Sequence, residues 1–233
     1  MNVVITGASR GIGKAIAEKF ASEGHQLFLS ARTKATLQST VDELKKKYPS
    51  VKIKQMTADL SLKKDVDALA EWLLDQQTDI DVLVNNAGNF LPGSVYNEPE
   101  GTLENMIAVN LYSAYHLTRS ILPQMMRNKK GYIFNLCSIA SLKAYANGGS
   151  YSISKFALLG FTKNLREEMK PHNVKVTAII PGAAYTDSWA KSGISADRFM
   201  EAKDIAELVY SATQLSAGAC VEEITVRPQL GDI

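Results

Sequence analysis

The chain has 233 residues, 45% of them hydrophobic and 21% charged, enough for one sizeable core and too few for a second catalytic domain. Its 26 basic and 24 acidic side chains leave a formal net charge of +2, so nothing in the electrostatics points to nucleic acid or an anionic membrane as partner. Two widely separated cysteines, Cys137 and Cys220, suggest a reduced, cytoplasmic setting, and the scattered His25, His116 and His172 lack metal-ligand spacing, so no metal is expected.

The opening MNVVITGASRG has no basic segment leading into a long apolar one, so no signal peptide is expected, and no apolar run is long enough to span a bilayer. Strands are predicted at 2–6, 26–31, 51–58, 81–87, 132–138, 174–180 and 223–227, separated by helices near 11–23, 34–48, 62–77, 101–128, 150–170 and 203–214. This alternation predicts an α/β fold of Rossmann type, a doubly wound, seven-stranded parallel sheet with helices on both faces, forming one domain over 1–233. The basic runs Lys45–Lys47 and Lys129–Lys130 fall at predicted helix ends and read as solvated charge there. The least regular piece, 181–199, follows a strand without an immediate long helix and is a candidate lid.

Between the first strand and first helix lies TGASRGIG, with Gly7, Gly11 and Gly13. A glycine-rich turn at that place lets main-chain N–H groups and a helix N-terminus approach a diphosphate. The second strand ends in Ala31 and Arg32, where a domain that prefers NAD would carry an acidic residue. Arg32 and Arg10 either clamp a 2′-phosphate, which predicts NADP(H), or are ordinary surface residues. Farther on, Tyr151 and Lys155 stand four apart in GSYSISKF, flanked by Ser150 and Ser152, so a helix would put phenol and ammonium on one face. A cation at ~4 Å in a medium of dielectric ~20 supplies about 4 kcal/mol, enough to bring a phenol from about 10 to about 7. NNAG at 85–88 and Ser138 fall at predicted carboxyl ends of strands, on the rim that the glycine turn occupies.

TGASRGIG, NNAG, the set Asn110, Ser138, Tyr151 and Lys155, and Pro181–Gly182 followed by Thr186 together resemble the short-chain dehydrogenase/reductase family over essentially the whole chain. The resemblance implies an NADP(H)-dependent reduction of a ketone or aldehyde. Tyr151 would exchange a proton with the substrate oxygen, Ser138 would hydrogen-bond that oxygen, and Lys155 would hold the nicotinamide ribose and lower the tyrosine pKa. Asn110, in a helix disturbed near it, would hold a water linking Lys155 to solvent. It further implies cofactor contacts from Ser9 and Ile12 in the glycine turn, from Asp59 and Leu60 at the adenine, from Asn86, Ala87 and Gly88 along the adenosine ribose, and from Thr186 at the carboxamide. Asn85 would be structural, and Asp59 could equally be a helix N-cap.

Asn89, Phe90, Leu142, Tyr145, Tyr185 and Trp189 form the candidate substrate pocket, an apolar and aromatic set suited to an aliphatic or aromatic carbonyl compound. The family includes 3-oxoacyl-acyl carrier protein reductases, which is the specific expectation. Members of that type carry basic residues near the entrance, at positions corresponding to Tyr132 and His172 here, and the tail VRPQLGDI looks more like those of small-carbonyl and hydroxy-acid members. The alternatives are a general small-carbonyl, diketone or 3-hydroxy acid reductase and, more remotely, a non-catalytic NADP(H) sensor. An epimerase or dehydratase would need a longer chain. A homodimer or homotetramer through 101–128 and 150–170 is expected from the resemblance.

Overall fold

Alternate residues of the first strand, Val3 and Ile5 against Val4, are all buried yet belong to two different apolar cores, one on each face of a single sheet. Strands that read as unbroken apolar runs require this arrangement, because helices must cover both faces. The computed structural model describes residues 1–186 and 193–232. Its elements in chain order are β1 (Asn2–Thr6), α1 (Gly11–Ser22), β2 (Gln26–Ala31), α2 (Lys34–Lys47), β3 (Ile53–Thr57), α3 (Lys63–Leu74) and β4 (Val82–Asn85). There follow α4 (Thr102–Ile107), α5 (Ser113–Asn128), β5 (Gly131–Leu136), α6 (Gly149–Met169), β6 (Val174–Pro181), α7 (Ala202–Thr213) and β7 (Glu223–Val226).

All neighbouring strands pair in parallel, in the order β3-β2-β1-β4-β5-β6-β7. The seven-stranded, doubly wound sheet is therefore as expected. On one face α1, α2 and α7 contribute Phe20, Leu37 and Val209 to the core. On the other, α3, α5 and α6 contribute Leu73, Ile121 and Leu165. Strand order reverses between β1 and β4, which opens a crevice at the carboxyl ends of the strands.

Local boundaries differ from the sequence reading where side chains intervene. The helix expected over 101–128 is α4, a π-helical turn at Ala108–Tyr112, and α5. The disturbance falls on Asn110, whose amide bonds to the main chain of Asn89 at 2.7 and 3.0 Å. β5 stops at Leu136, so Ser138 is not in a strand; it caps a 3-10 turn at Ile139–Ser141, its Oγ accepting from the Ala140 N–H at 3.1 Å. Asp59 is not a helix N-cap either. Leu62 holds that place at α3, while the Asp59 carboxylate accepts from the N–H and hydroxyl of Ser61 at 3.0 and 2.8 Å. No helix among the described residues is long and apolar enough to cross a membrane.

Candidate active site

The turn after β1 is shaped by its glycines. Gly7 and Gly11 adopt φ of +66° and +55°, a region costly for other residues. A Cβ on Gly13 would overlap the Gly7 carbonyl oxygen and the Asn86 Nδ2. Asn86 in turn donates to the carbonyls of Thr6 and Gly7 at 2.9 and 3.1 Å, tying the segment after β4 to this turn. α1 starts without a side-chain cap and without an acidic residue in its first turn. Bare N–H groups at a dipole's positive end, approached through glycines, make a cradle for a diphosphate.

Beside it, Ala31 is buried at the end of β2 and Arg32 is exposed. Arg10, Arg32, Asp59 and Leu60 all line the cavity that begins at the cradle. Burial pushes the Asp59 carboxyl up, but the Ser61 hydrogen bonds and the Arg32 charge hold it below its usual value.

That cavity, of about 630 Å³, continues past Ala87 and Gly88 to Ser138, Tyr151 and Lys155, and Pro181, Gly182 and Thr186 also line it. Thr186 leans over the glycine turn, where a Cβ on Gly11 would stand 3.1 Å from its methyl. Lys155 is buried, 5% exposed, and its Nζ donates to the Leu136 carbonyl at 2.6 Å. Its Nζ lies 5.9 Å from the centre of the Tyr151 ring, on the face expected from the four-residue spacing. Phe90 meets that ring edge-on, centroids 4.9 Å apart.

The phenol does not titrate near neutrality in this structure. Burial pushes Tyr151 up to about 12, against the lowering effect of the Ser138 hydroxyl, and burial pulls Lys155 down to about 8. The lowering expected from the lysine is not found: desolvation is the largest influence on each of the two groups.

Asn110 is buried behind the cavity wall, its amide shared among Asn89, Ser154 at 2.8 Å and Met106. Gly88 sits between it and the lysine: a Cβ there would lie 3.2 Å from the Asn110 Oδ1 and 3.4 Å from the Lys155 Nζ. Asn85 is structural, donating to Thr118 at 2.9 Å and to Asn135 at 2.8 Å in the core.

Among the pocket candidates, Asn89, Phe90, Leu142 and Tyr145 line the cavity. Tyr185 does not. A bridge between Ala184 and Met200 turns Ala184 inward and its neighbour outward, so the Tyr185 ring packs on Phe199 and is 46% exposed. Trp189 lies outside the described residues, as does the middle of the expected lid. Tyr132 is the second residue of β5 and His172 precedes β6, so both stand at the amino ends of strands, away from this chain's own cavity. They give no measure of its entrance.

Two features escaped the sequence reading. The Leu136 carbonyl that holds Lys155 is a main-chain group without a side-chain signal. Arg227 and Asp232, ion-paired in the tail, also line the cavity, because β7 lies beside β6 and its end reaches the same rim. The tail's position after the last strand was the available clue.

A family model for short chain dehydrogenases matches residues 1–196. A sepiapterin reductase of Chlorobaculum tepidum is 34% identical over 239 residues, covering 99% of this chain and 97% of that protein. An uncharacterized oxidoreductase of Staphylococcus epidermidis is 30% identical over 225 residues, covering 97% and 96%. Among solved structures, a metagenomic short-chain oxidoreductase in complex with NADP superposes with a TM-score of 0.85 at 32% identity, over 98% of this chain and 97% of that one. An alcohol dehydrogenase of the archaeon Thermococcus sibiricus, complexed with 5-hydroxy-NADP, gives 0.90 at 29% identity, over 100% and 98%.

Proposed function

Because the chain belongs to the short-chain dehydrogenase family, we propose that it is an NADP(H)-dependent oxidoreductase that reduces a small ketone or aldehyde to an alcohol. One observation carries the reading: the Ser138 and Tyr151 side chains and the buried Lys155 ammonium meet in the same cavity as the glycine cradle. When bound, the dinucleotide supplies the hydride to the carbonyl carbon. Tyr151 gives its proton to the carbonyl oxygen, and a phenol held near 12 stays protonated at neutral pH until an alkoxide of higher basicity develops beside it. Ser138 donates to the same oxygen and fixes it. Lys155, anchored on Leu136, stabilises the tyrosinate left behind and binds the nicotinamide ribose.

Arg10 and Arg32 hold the 2′-phosphate in this proposal, and the cavity wall between Ala31 and Asp59 takes the adenosine. Each charge-assisted contact contributes roughly 1.5–3 kcal/mol, about tenfold to a hundredfold in affinity. The two structural neighbours named with NADP support the choice.

For the substrate we propose a small carbonyl compound with a flat or aliphatic body, seated between Phe90, Leu142 and Tyr145. The 34% identity to a protein named as a sepiapterin reductase favours a free small molecule over a 3-oxoacyl group on acyl carrier protein. We further propose a cytoplasmic homo-oligomer. NADPH oxidation against sepiapterin, a vicinal diketone, an aromatic aldehyde, a 3-oxo acid and an acetoacetyl thioester tests the reading. Turnover of the first three is expected. Dominance of the thioester would move the assignment to a 3-oxoacyl reductase, and tight NADPH binding with no turnover of any carbonyl would leave only a sensor.

A further inference from the structure

The segment after NNAG crosses from the cavity to the first turn of α6 and is fastened there at several points. Glu98 accepts the Ser150 N–H on Oε1 at 2.9 Å and the Ser150 hydroxyl on Oε2. Gly93 donates its N–H to the Asn147 carbonyl at 3.1 Å, and Ser94 donates its hydroxyl to the Asn147 Oδ1 at 2.8 Å. The approach is tight enough to demand glycine on both sides. A Cβ on Gly149, which has φ of +34°, would overlap Glu98 and the Gly93 carbonyl, and one on Gly93 would stand 2.7 Å from the Glu98 Cγ. Gly148 is the N-cap of α6 and offers no side-chain cap, so the Glu98 carboxylate does a cap's work from 52 residues away along the chain.

Ser150 immediately precedes Tyr151. On the other side of the same turn, Ser152 donates to the Ala140 carbonyl at 2.9 Å, in the 3-10 turn that Ser138 caps. The first turn of α6 is thus held between two anchors, Glu98 and Ala140. The other end of the strap carries Asn89, bonded to Asn110, and Phe90, edge-on against the Tyr151 ring.

We propose that Glu98 is a positioning residue for the reduction: by capping α6 it sets where the Tyr151 phenol stands relative to Ser138, and it ties that position to the strap lining the substrate cavity. This rests on Tyr151 being the proton donor. Misplacement of a reacting group by a fraction of an ångström costs turnover more than binding.

The test compares wild type with Glu98→Ala and Glu98→Gln, using NADPH and the best carbonyl from the panel, with melting curves and NADPH affinity as controls. Gln keeps an acceptor for the Ser150 N–H, and the serine hydroxyl can turn to accept from its amide, so it is the conservative rescue. Glu98→Ala is expected to lose about tenfold or more in kcat with NADPH affinity unchanged, and Glu98→Gln to recover most of it. Hydrogen exchange on the protein without cofactor gives an independent readout: amides of 150–153 should exchange faster in Glu98→Ala only. If Glu98→Ala keeps kcat and exchange within about twofold of wild type, the proposal is wrong. If wild type turns over no carbonyl compound, the proposed function fails, and the exchange comparison still decides whether Glu98 holds the turn.

Discussion

In the proposed reduction Tyr151 and Lys155 are the pair on which the chemistry depends, and burial pushes their pKa values apart, up to about 12 and down to about 8. The phenol remains an acid across the working pH range, so in the proposed reaction the lysine is the group expected to limit activity. Its folded pKa is depressed, so it loses its charge as pH rises through about 8. The rate parameter kcat/KM for NADPH, which reports the unloaded enzyme, should therefore fall above pH about 8. Lys155→Arg, always charged, should remove that limb; a wild-type profile flat to about pH 10 would contradict this. Arg32 is a second single-residue test. Arg32→Asp should weaken NADPH by about tenfold to a hundredfold and improve NADH, read as the ratio of the two kcat/KM values. An unchanged ratio would make Arg32 a bystander.

At the scale of elements, the decisive contact is the glycine turn against the segment after β4. Gly13→Ala puts a methyl into the Gly7 carbonyl and Asn86, neither of which can move without breaking the other's hydrogen bonds. The expected cost is about 1–3 kcal/mol of stability together with loss of NADPH affinity, measured by chemical denaturation and fluorescence titration. A variant of wild-type stability and affinity would mean the turn is looser than its geometry implies. The elements themselves were legible in the sequence, because unbroken apolar runs such as VVIT and LFLS can be buried on both faces only in a helix-covered parallel sheet. What was not legible depends on distant partners. The π turn at Asn110 arises because its amide bonds to Asn89, 21 residues earlier. Tyr185 turns outward because its neighbour pairs with Met200. The phenol's pKa followed from burial, which four-residue spacing does not encode.

For the whole molecule, Tyr112 at the end of the π turn, Tyr115 on α5, and Ile153 and Phe156 on α6 are between 37% and 52% exposed. Apolar side chains in that number on adjoining helices favour association over a lone monomer. In sedimentation velocity the wild type should run as a dimer or tetramer, and Phe156→Glu should shift it toward monomer. A wild type that is monomeric at micromolar concentration would contradict the oligomeric proposal while leaving the active site untouched.

The central claim is that Tyr151 donates the proton. The most direct measurement is single-turnover reduction by Tyr151→Phe with saturating NADPH, alongside NADPH affinity and the melting curve. A loss of about a hundredfold or more in the rate of reduction is expected, with cofactor affinity and stability close to wild type. Retention of most of the wild-type rate with cofactor bound would contradict it.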